Sequence, residues 1–339
     1  IYQQSLDAHK KKGKLAIKSK LPLKNKEDLS IAYTPGVAAV CKEIAAKPST
    51  VFTHTLKGNS VAVVSDGSAI LGLGNLGAEA AIPVMEGKAM LFKKLGDVDA
   101  FPICINTQNT DELINIVKNI SPIFGGINLE DIEAPKCFEI EERLSAELDI
   151  PVFHDDQYGT ATAVLSALIN ACKVVNKKIE DIKVVINGAG AAGLSIAKLL
   201  GCIDIDKRIC RSVCDIVVCD TRGALYKGRS DMNKYKNQIA ELTNQHIHKG
   251  PLDSAVNDAD VFIGVSTGNI LKKHNIESMA NNPIIFACAN PVPEIDPDQA
   301  IKFGAAVVGT GRSNYKNQIN NLLAFPGIFR GALDARAKK

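Results

Sequence analysis

Three groups of residues in this 339-residue chain have types and spacings that can do chemistry. The first is a set of acids. Glu130 and Asp131 close the apolar run 123–129 (IFGGINL), and Asp155 and Asp156 follow the run 150–153 (IPVF). Carboxylates at the ends of two separate strands suit a hard cation such as Mg²⁺ or Mn²⁺ that keeps positions open for a substrate. Adjacent strand residues face opposite ways, so both members of a pair reach one ion only where the chain bends. Asp156 also precedes a helix beginning near Thr160 and could be its N-cap. His154 beside them is expected to be structural.

The second group is glycine-rich. The pattern G-x-G-x-x-G occurs at Gly72–Gly74–Gly77 and again at Gly188, Gly190 and Gly193, with Ala191 and Ala192 inside the second copy. Context separates them. The second follows the strand-like run 182–187 (IKVVIN) and opens an Ala/Leu-rich helix, which presents free N–H groups and a positive dipole end to a pyrophosphate. The next strand-like run, 214–220, ends in Asp220, an acid able to hold ribose hydroxyls. It lies later than usual, and the stretch 201–213 reads as an insertion. No acid closes the strand after the first copy, because Asp97 and Asp99 come before the run 101–105. Those glycines read as a tight turn or a close packing contact.

The third group could move protons. Lys88 sits in a mostly apolar helical stretch, 80–92, where lost solvation lowers an ammonium pKa toward a useful base. A lysine snorkelling at the surface is the alternative. Tyr33 begins Tyr-Thr-Pro-Gly, a turn that fixes a phenol suited to protonating a carbon acid, or simply packs there.

These residues need a scaffold of two parts. Up to about Asp155 the chain mixes helical patterns with short apolar strands. A buried linking helix is expected over 160–175. Strand-like runs then recur at 182–187, 214–220, 260–265, 284–289 and 305–309, separated by helical stretches, which is the pattern of a doubly wound parallel sheet. Apolar residues make up 46% of the chain, enough for a sizeable core, and the net charge of +3 is too balanced for a nucleic-acid binder. The basic run Lys10, Lys11, Lys12, Lys14, Lys18, Lys20, Lys24 and Lys26 reads as a solvated arm. No stretch approaches the ~20 apolar residues of a membrane span, and no signal-like segment appears. Nine cysteines without repeated short spacings fit reduced thiols in a cytoplasmic setting, and Cys202, Cys210, Cys214 and Cys219 lack the spacing of a zinc site.

Together these segments resemble the malic enzyme family, in its short prokaryotic-type class. The likeness runs from about residue 29 to 338. It is carried by SIAYTPGVAAVCKEI (30–44), LGLGNLGAEAAIPVMEGKAMLFK (71–93), GGINLEDIEAPKCFEIEERL (125–144), PVFHDDQYGTATAV (151–164), VINGAGAAG (185–193), IIFACANPVPEI (284–295) and GRSNYKNQINNLLAFPGIFRGALDARA (311–337). The resemblance implies metal-dependent oxidative decarboxylation of L-malate to pyruvate and CO₂ with reduction of NAD or NADP. Tyr33 matches the family's general acid and Lys88 its general base. Glu130, Asp131 and Asp156 match the metal ligands, with Asp155 beside them, and Asn290 and Asn321 match asparagines that contact substrate or nicotinamide. It further implies an α/β fold of two domains. A mixed α/β substrate domain covers 1–155, with a helix from 316–339 packing back on it. A Rossmann-type sheet covers 156–315. A homodimer is implied as well. Unlike the larger eukaryotic-type members, residues 66–71 contain no arginine. Asp220 tips cofactor choice toward NAD, whereas Arg222 would suit the 2′-phosphate of NADP. Three rivals remain: a malate-to-lactate enzyme with tightly held NAD, a nucleotide-binding module without chemistry, and a metal-independent amino-acid dehydrogenase.

Overall fold

The computed structural model describes residues 2–10, 13–206 and 208–338, so Lys11 and Lys12 of the basic run lie outside the described residues. Two sheets organise the chain. The first contains β1 (Ser60–Ser65), β2 (Asp99–Cys104), β3 (Gly126–Leu129) and β4 (Val152–His154) in the order β2-β1-β3-β4, all parallel. The second contains β5 (Lys183–Asn187), β6 (Asp215–Asp220), β7 (Gly223–Ala224), β8 (Val261–Gly264), β9 (Ile284–Ala287) and β10 (Val307–Thr310). Its order is β10-β9-β8-β5-β6-β7, parallel except for the short antiparallel β7. Parallel strands need crossovers that cover both faces, which is why β1, β8 and β9 are buried along their whole length and apolar apart from Ser60 and Ser65 at the ends of β1.

The expected strands and the linking helix appear within a residue or two of their predicted limits. The helix Thr160–Val174 buries Ala161, Ala163, Val164, Leu168, Ala171 and Cys172. One continuous apolar core joins it to residues of both sheets, from Ala62 and Ile127 on one side to Val184 and Ile263 on the other. The C-terminal helix Phe325–Ala335 packs back on the helix Ala78–Gly96. There Phe92 meets Phe325 at 4.6 Å and Phe329 at 5.2 Å between ring centroids. Gly96 permits this approach, since a Cβ there would stand 2.8 Å from the Pro326 carbonyl oxygen.

Two regions differ from expectation. Cys202 and Cys210 are joined in a disulfide, with Cα atoms 5.8 Å apart, whereas all nine cysteines were expected as thiols. The stretch after the helix Ala191–Leu200 turns back on itself, Val213 N–H donating to Leu200 O, and this return brings together two residues whose spacing suggested no pairing. The helices Lys26–Ala32 and Val37–Ala46, by contrast, bury no residue in this chain. They expose Leu29, Ile31 and Val37.

The phenylalanine cluster supplies the contact that returns the C-terminal helix to the first sheet. Phe92→Ala should destabilise the protein by about 3–5 kcal/mol, read from the midpoint of urea unfolding. A loss below about 1 kcal/mol would show that the C-terminal helix is held by other contacts.

Candidate functional site

The acids converge at the carboxyl ends of the first sheet. Glu130 and Asp131 follow β3, and Asp131 adopts a left-handed backbone (φ 53°), the bend that lets neighbouring side chains serve one point. Beyond β4, residues Asp155–Gly159 form a π-helical turn. The helix that follows is capped by Gly159 without a side-chain bond, so Asp156 is not its N-cap. Asp156 instead accepts from the Asp131 backbone N–H at 3.1 Å. One carboxylate oxygen from each of Glu130, Asp131 and Asp156 falls within 4.8 Å of the others. Gly159 makes room for this turn, because a Cβ there would stand 1.8 Å from Asp155 Oδ1.

Lys88 points into the same pocket from the helix Ala78–Gly96, with its side chain 8% exposed, so it is no snorkelling lysine. Its Nζ lies 2.5 Å from Asp155 Oδ2, 2.8 Å from Glu130 Oε1 and 4.3 Å from the centroid of the Phe325 ring. The expectation of a lowered lysine pKa is overturned. Burial does pull it down, but the charges of Glu130 and Asp155 outweigh burial and hold the ammonium above its usual range. The acids move upward too, which for a carboxyl group favours the neutral form. Burial raises Glu130, Asp131 and Asp156, mutual repulsion adds to the rise, and Lys88 only partly counters it. Asp155 is pushed up to about 7, chiefly by burial. Three buried carboxylates and the half-buried Asp156 thus surround one ammonium, which pairs directly with Glu130 and Asp155. Asp131 Oδ2 is buried without a hydrogen-bond partner, so the donor set fits a divalent cation. His154 is fully buried and kept neutral, its pKa lowered to about 3 by burial, and it does not belong to the acid cluster.

A second crevice opens at the carboxyl ends of the Rossmann-type sheet, where strand order reverses between β5 and β8. The loop after β5 needs its glycines. A Cβ on Gly193 would stand 1.7 Å from Gly188 O, and Gly188 has φ 124°. Gly190 faces open space at the N-terminus of the helix Ala191–Leu200, with Ala191 and Ala192 in its first turn, so a pyrophosphate is accommodated. Asp220, at the end of β6, is bound by Arg229 Nη2 (2.9 Å) and Lys236 Nζ (2.7 Å). Arg222 pairs with Asp231 instead, at 2.7 Å.

The first glycine copy lies between these two sites. Gly72, Gly74 and Gly77 all have positive φ, and Gly72 approaches Asn290, whose carbonyl oxygen would stand 2.9 Å from a Cβ placed there. The Leu71 N–H reaches Asp131 Oδ1 at 3.5 Å, so the turn touches both the acids and the Asn290 loop. Asn290 is exposed beside it, and Asn321 is half-buried against Gly159. Tyr33 is not brought in. It is 65% exposed, and no hydrogen bond or ion pair joins it to the acids among the described residues. The sequence reading missed the buried pair Lys136–Asp66 at 2.7 Å, which holds the turn after β1, and the bond from Tyr158 Oη to Glu141, which ties the π turn to the helix Lys136–Glu147. An acid six residues before the first glycine of the first fingerprint, Asp66 before Gly72, was the available signal for the former.

Comparison with known proteins adds to this geometry. Residues 12–114 and 106–145 match the family model of the malic enzyme N-terminal domain, and 157–339 match that of the malic enzyme NAD binding domain. The chain belongs to the malic enzyme family. It is 56% identical over 339 residues to the bifunctional malic/malolactic enzyme of Bacillus subtilis, covering 99% of this chain and 81% of that one. It is also 56% identical to the NAD-dependent malic enzyme of Geobacillus stearothermophilus, covering 96% of this chain and 66% of the other. Several NADP-dependent relatives match at 45–51% identity, and this chain spans 43–44% of their length. Among solved structures, the NAD-dependent malic enzyme of Thermotoga maritima superposes with a TM-score of 0.93 at 51% identity, covering 98% of this chain and 87% of that one. The fold is accordingly that of malic enzymes, α/β in two parts with a Rossmann-type sheet.

The raised carboxyl pKa values set how this malic enzyme family member meets a metal. Raised pKa values keep protons on these acids at lower pH, where they compete with a cation, and rising pH removes them. Affinity for Mn²⁺ alone, measured by calorimetry, should therefore rise from pH 5 to pH 8, by about tenfold per pH unit for each proton displaced. An affinity independent of pH would remove these acids as the ligands.

Proposed function

We propose that this protein oxidatively decarboxylates L-malate to pyruvate and CO₂ with reduction of NAD, using Mg²⁺ or Mn²⁺ held by Glu130, Asp131 and Asp156. The observation that carries this is the meeting of those three carboxylates, from two segments, beside the buried Lys88–Asp155 pair. A bound divalent cation supplies Lewis-acid polarisation of the substrate's oxygens, and a bound nicotinamide accepts the hydride.

The chain's own residues handle protons and orientation. Lys88 Nζ takes the proton of the substrate hydroxyl. Asp155 Oδ2, 2.5 Å away, is the partner to which the ammonium proton would pass once a bound cation offsets the carboxylate charge that holds Lys88 protonated. The Phe325 ring closes one side of Lys88 and helps exclude water. Asn290 and Asn321 orient substrate and nicotinamide beside the Gly72 turn. Tyr33 protonates the carbon from which CO₂ has left. Because Tyr33 stands in the turn between two helices with uncovered apolar residues, we assign these helices to the interface of a homodimer, where a second copy covers them. The working division places residues 1–155 and 316–339 on the substrate side and 156–315 on the cofactor side. Among the described residues no helix is long and apolar enough to cross a membrane, and a cytoplasmic setting belongs to the same proposal.

The test follows reduced nicotinamide by absorbance with L-malate and Mn²⁺, supplying NAD and NADP separately, with a chelator control. Reduction that the chelator abolishes, with pyruvate as product, is expected. Silence with both cofactors would favour a nucleotide-binding module. A relative bears a malolactic name, so lactate without accumulation of reduced cofactor would select that reading. Lys88→Ala should lower kcat by roughly 10²–10⁴ with NAD affinity unchanged, and near-normal turnover would sink the base role.

Cofactor choice turns on Asp220. Its carboxylate sits at the end of β6, where a ribose 2′-hydroxyl is held in this fold. Arg229 and Lys236 partly neutralise it, so its repulsion of a 2′-phosphate is moderate. Asp220→Ala should narrow the preference for NAD, measured as the ratio of kcat/KM for the two cofactors. An unchanged ratio would take Asp220 out of the selection.

A further inference from the structure

Glu294 is fully buried, and no cation pairs with it among the described residues. Burial accordingly raises its pKa. An apolar side chain would fill this volume without the desolvation cost of a carboxyl group, so the two oxygens themselves need a reason. They accept from two different loops. Oε1 takes the backbone N–H of Ser266 at 3.2 Å, in the loop after β8. Oε2 takes that of Ala289 at 3.0 Å, in the loop after β9, immediately before Asn290. The same loops are laced by backbone bonds from Asn269 N–H to Pro293 O and from Leu271 N–H to Glu294 O, each 3.0 Å. Ser266 in turn accepts on Oγ from Asn187 Nδ2 at 2.6 Å, and Asn187 is the last residue before the Gly188 turn. A chain of bonds therefore runs from the phosphate-cradling turn through Ser266 and Glu294 to Asn290. Gly264 leaves the space, because a Cβ there would stand 2.2 Å from Glu294 Cδ.

We propose that Glu294 is a positioning residue that fixes the loops after β8 and β9 and so sets affinity for the nicotinamide half of the dinucleotide without affecting its adenosine half. The inference rests on the dinucleotide reading of the crevice. It assigns Glu294 no contact with cofactor or substrate. Its action is to hold Asn290 and Ser266 in one arrangement before the cofactor arrives, which removes an ordering cost from binding.

Wild type, Glu294→Gln and Gly264→Ala would each be titrated with NADH by fluorescence and with ADP by calorimetry. Gln keeps the shape but replaces one acceptor oxygen with an amide nitrogen, and the added methyl of Gly264→Ala displaces an unaltered carboxylate. In either variant the Kd for NADH should rise about tenfold while that for ADP stays within twofold, the retained ADP site reporting an intact fold. NADH and ADP weakening together would reduce Glu294 to a general stabiliser, and no change in either would remove it altogether. Both outcomes overturn the inference alone. A wild-type protein that binds neither ligand would overturn the dinucleotide reading, and the inference with it.

Discussion

Four carboxylates facing one ammonium inside a buried pocket form the constraint around which the rest of the first half is arranged. Like charges in low dielectric repel strongly, and a lone lysine cannot neutralise Glu130, Asp131, Asp155 and Asp156 together. Such a cluster persists only if protons or a cation share it. It also needs a scaffold stiff enough to stop the side chains from swinging apart. The scaffold supplies this through β3 and β4, paired in parallel so that their acid-bearing ends lie side by side. Lys88 is fixed independently by the helix Ala78–Gly96, and the C-terminal helix holds that helix through Phe92 and Phe325.

The two crevices meet through small residues. The turn reaches Asp131 through the Leu71 backbone N–H and comes close to Asn290 where Gly72 has no side chain. On the cofactor side, Gly188, Gly193 and Gly264 do the same for backbone, phosphate cradle and Glu294. Glycine thus serves here mainly as absent volume. Positive φ is its second use, at Gly72 and Gly188.

The sequence made the architecture legible because parallel strands buried on both faces read as short apolar runs, and the runs at 182–187 and 284–289 fall within two residues of β5 and β9. The acids were legible for a related reason: they stand where apolar runs stop. What local pattern could not supply was anything depending on distant partners. Lys88 was assigned a lowered pKa from its apolar neighbours in sequence, yet the groups that set it come from β3 and from the turn after β4. Cys202 and Cys210 show the same limit, since their meeting depends on a return that spacing does not encode. Glu294 drew no notice at all, because a single acid after a proline carries no periodic signal and its role appears only in the loops it joins.

Exposure and burial divide the residues proposed to handle protons in a way that bears on how the site would work. Lys88 and Asp155 are enclosed, so a proton exchanged between them stays out of contact with bulk water. Tyr33 lies in the turn between two helices that bury nothing within the chain. A phenol must stand within reach of the carbon it protonates, so the proposed use of Tyr33 as an acid requires that it be brought to the site. Apolar residues on the same two helices require cover, and one event, the docking of a second copy, would satisfy both needs. On that reading, assembly would complete the proposed proton-donating side of the site, whereas the acids proposed to hold a metal are already brought together around Lys88 in each chain.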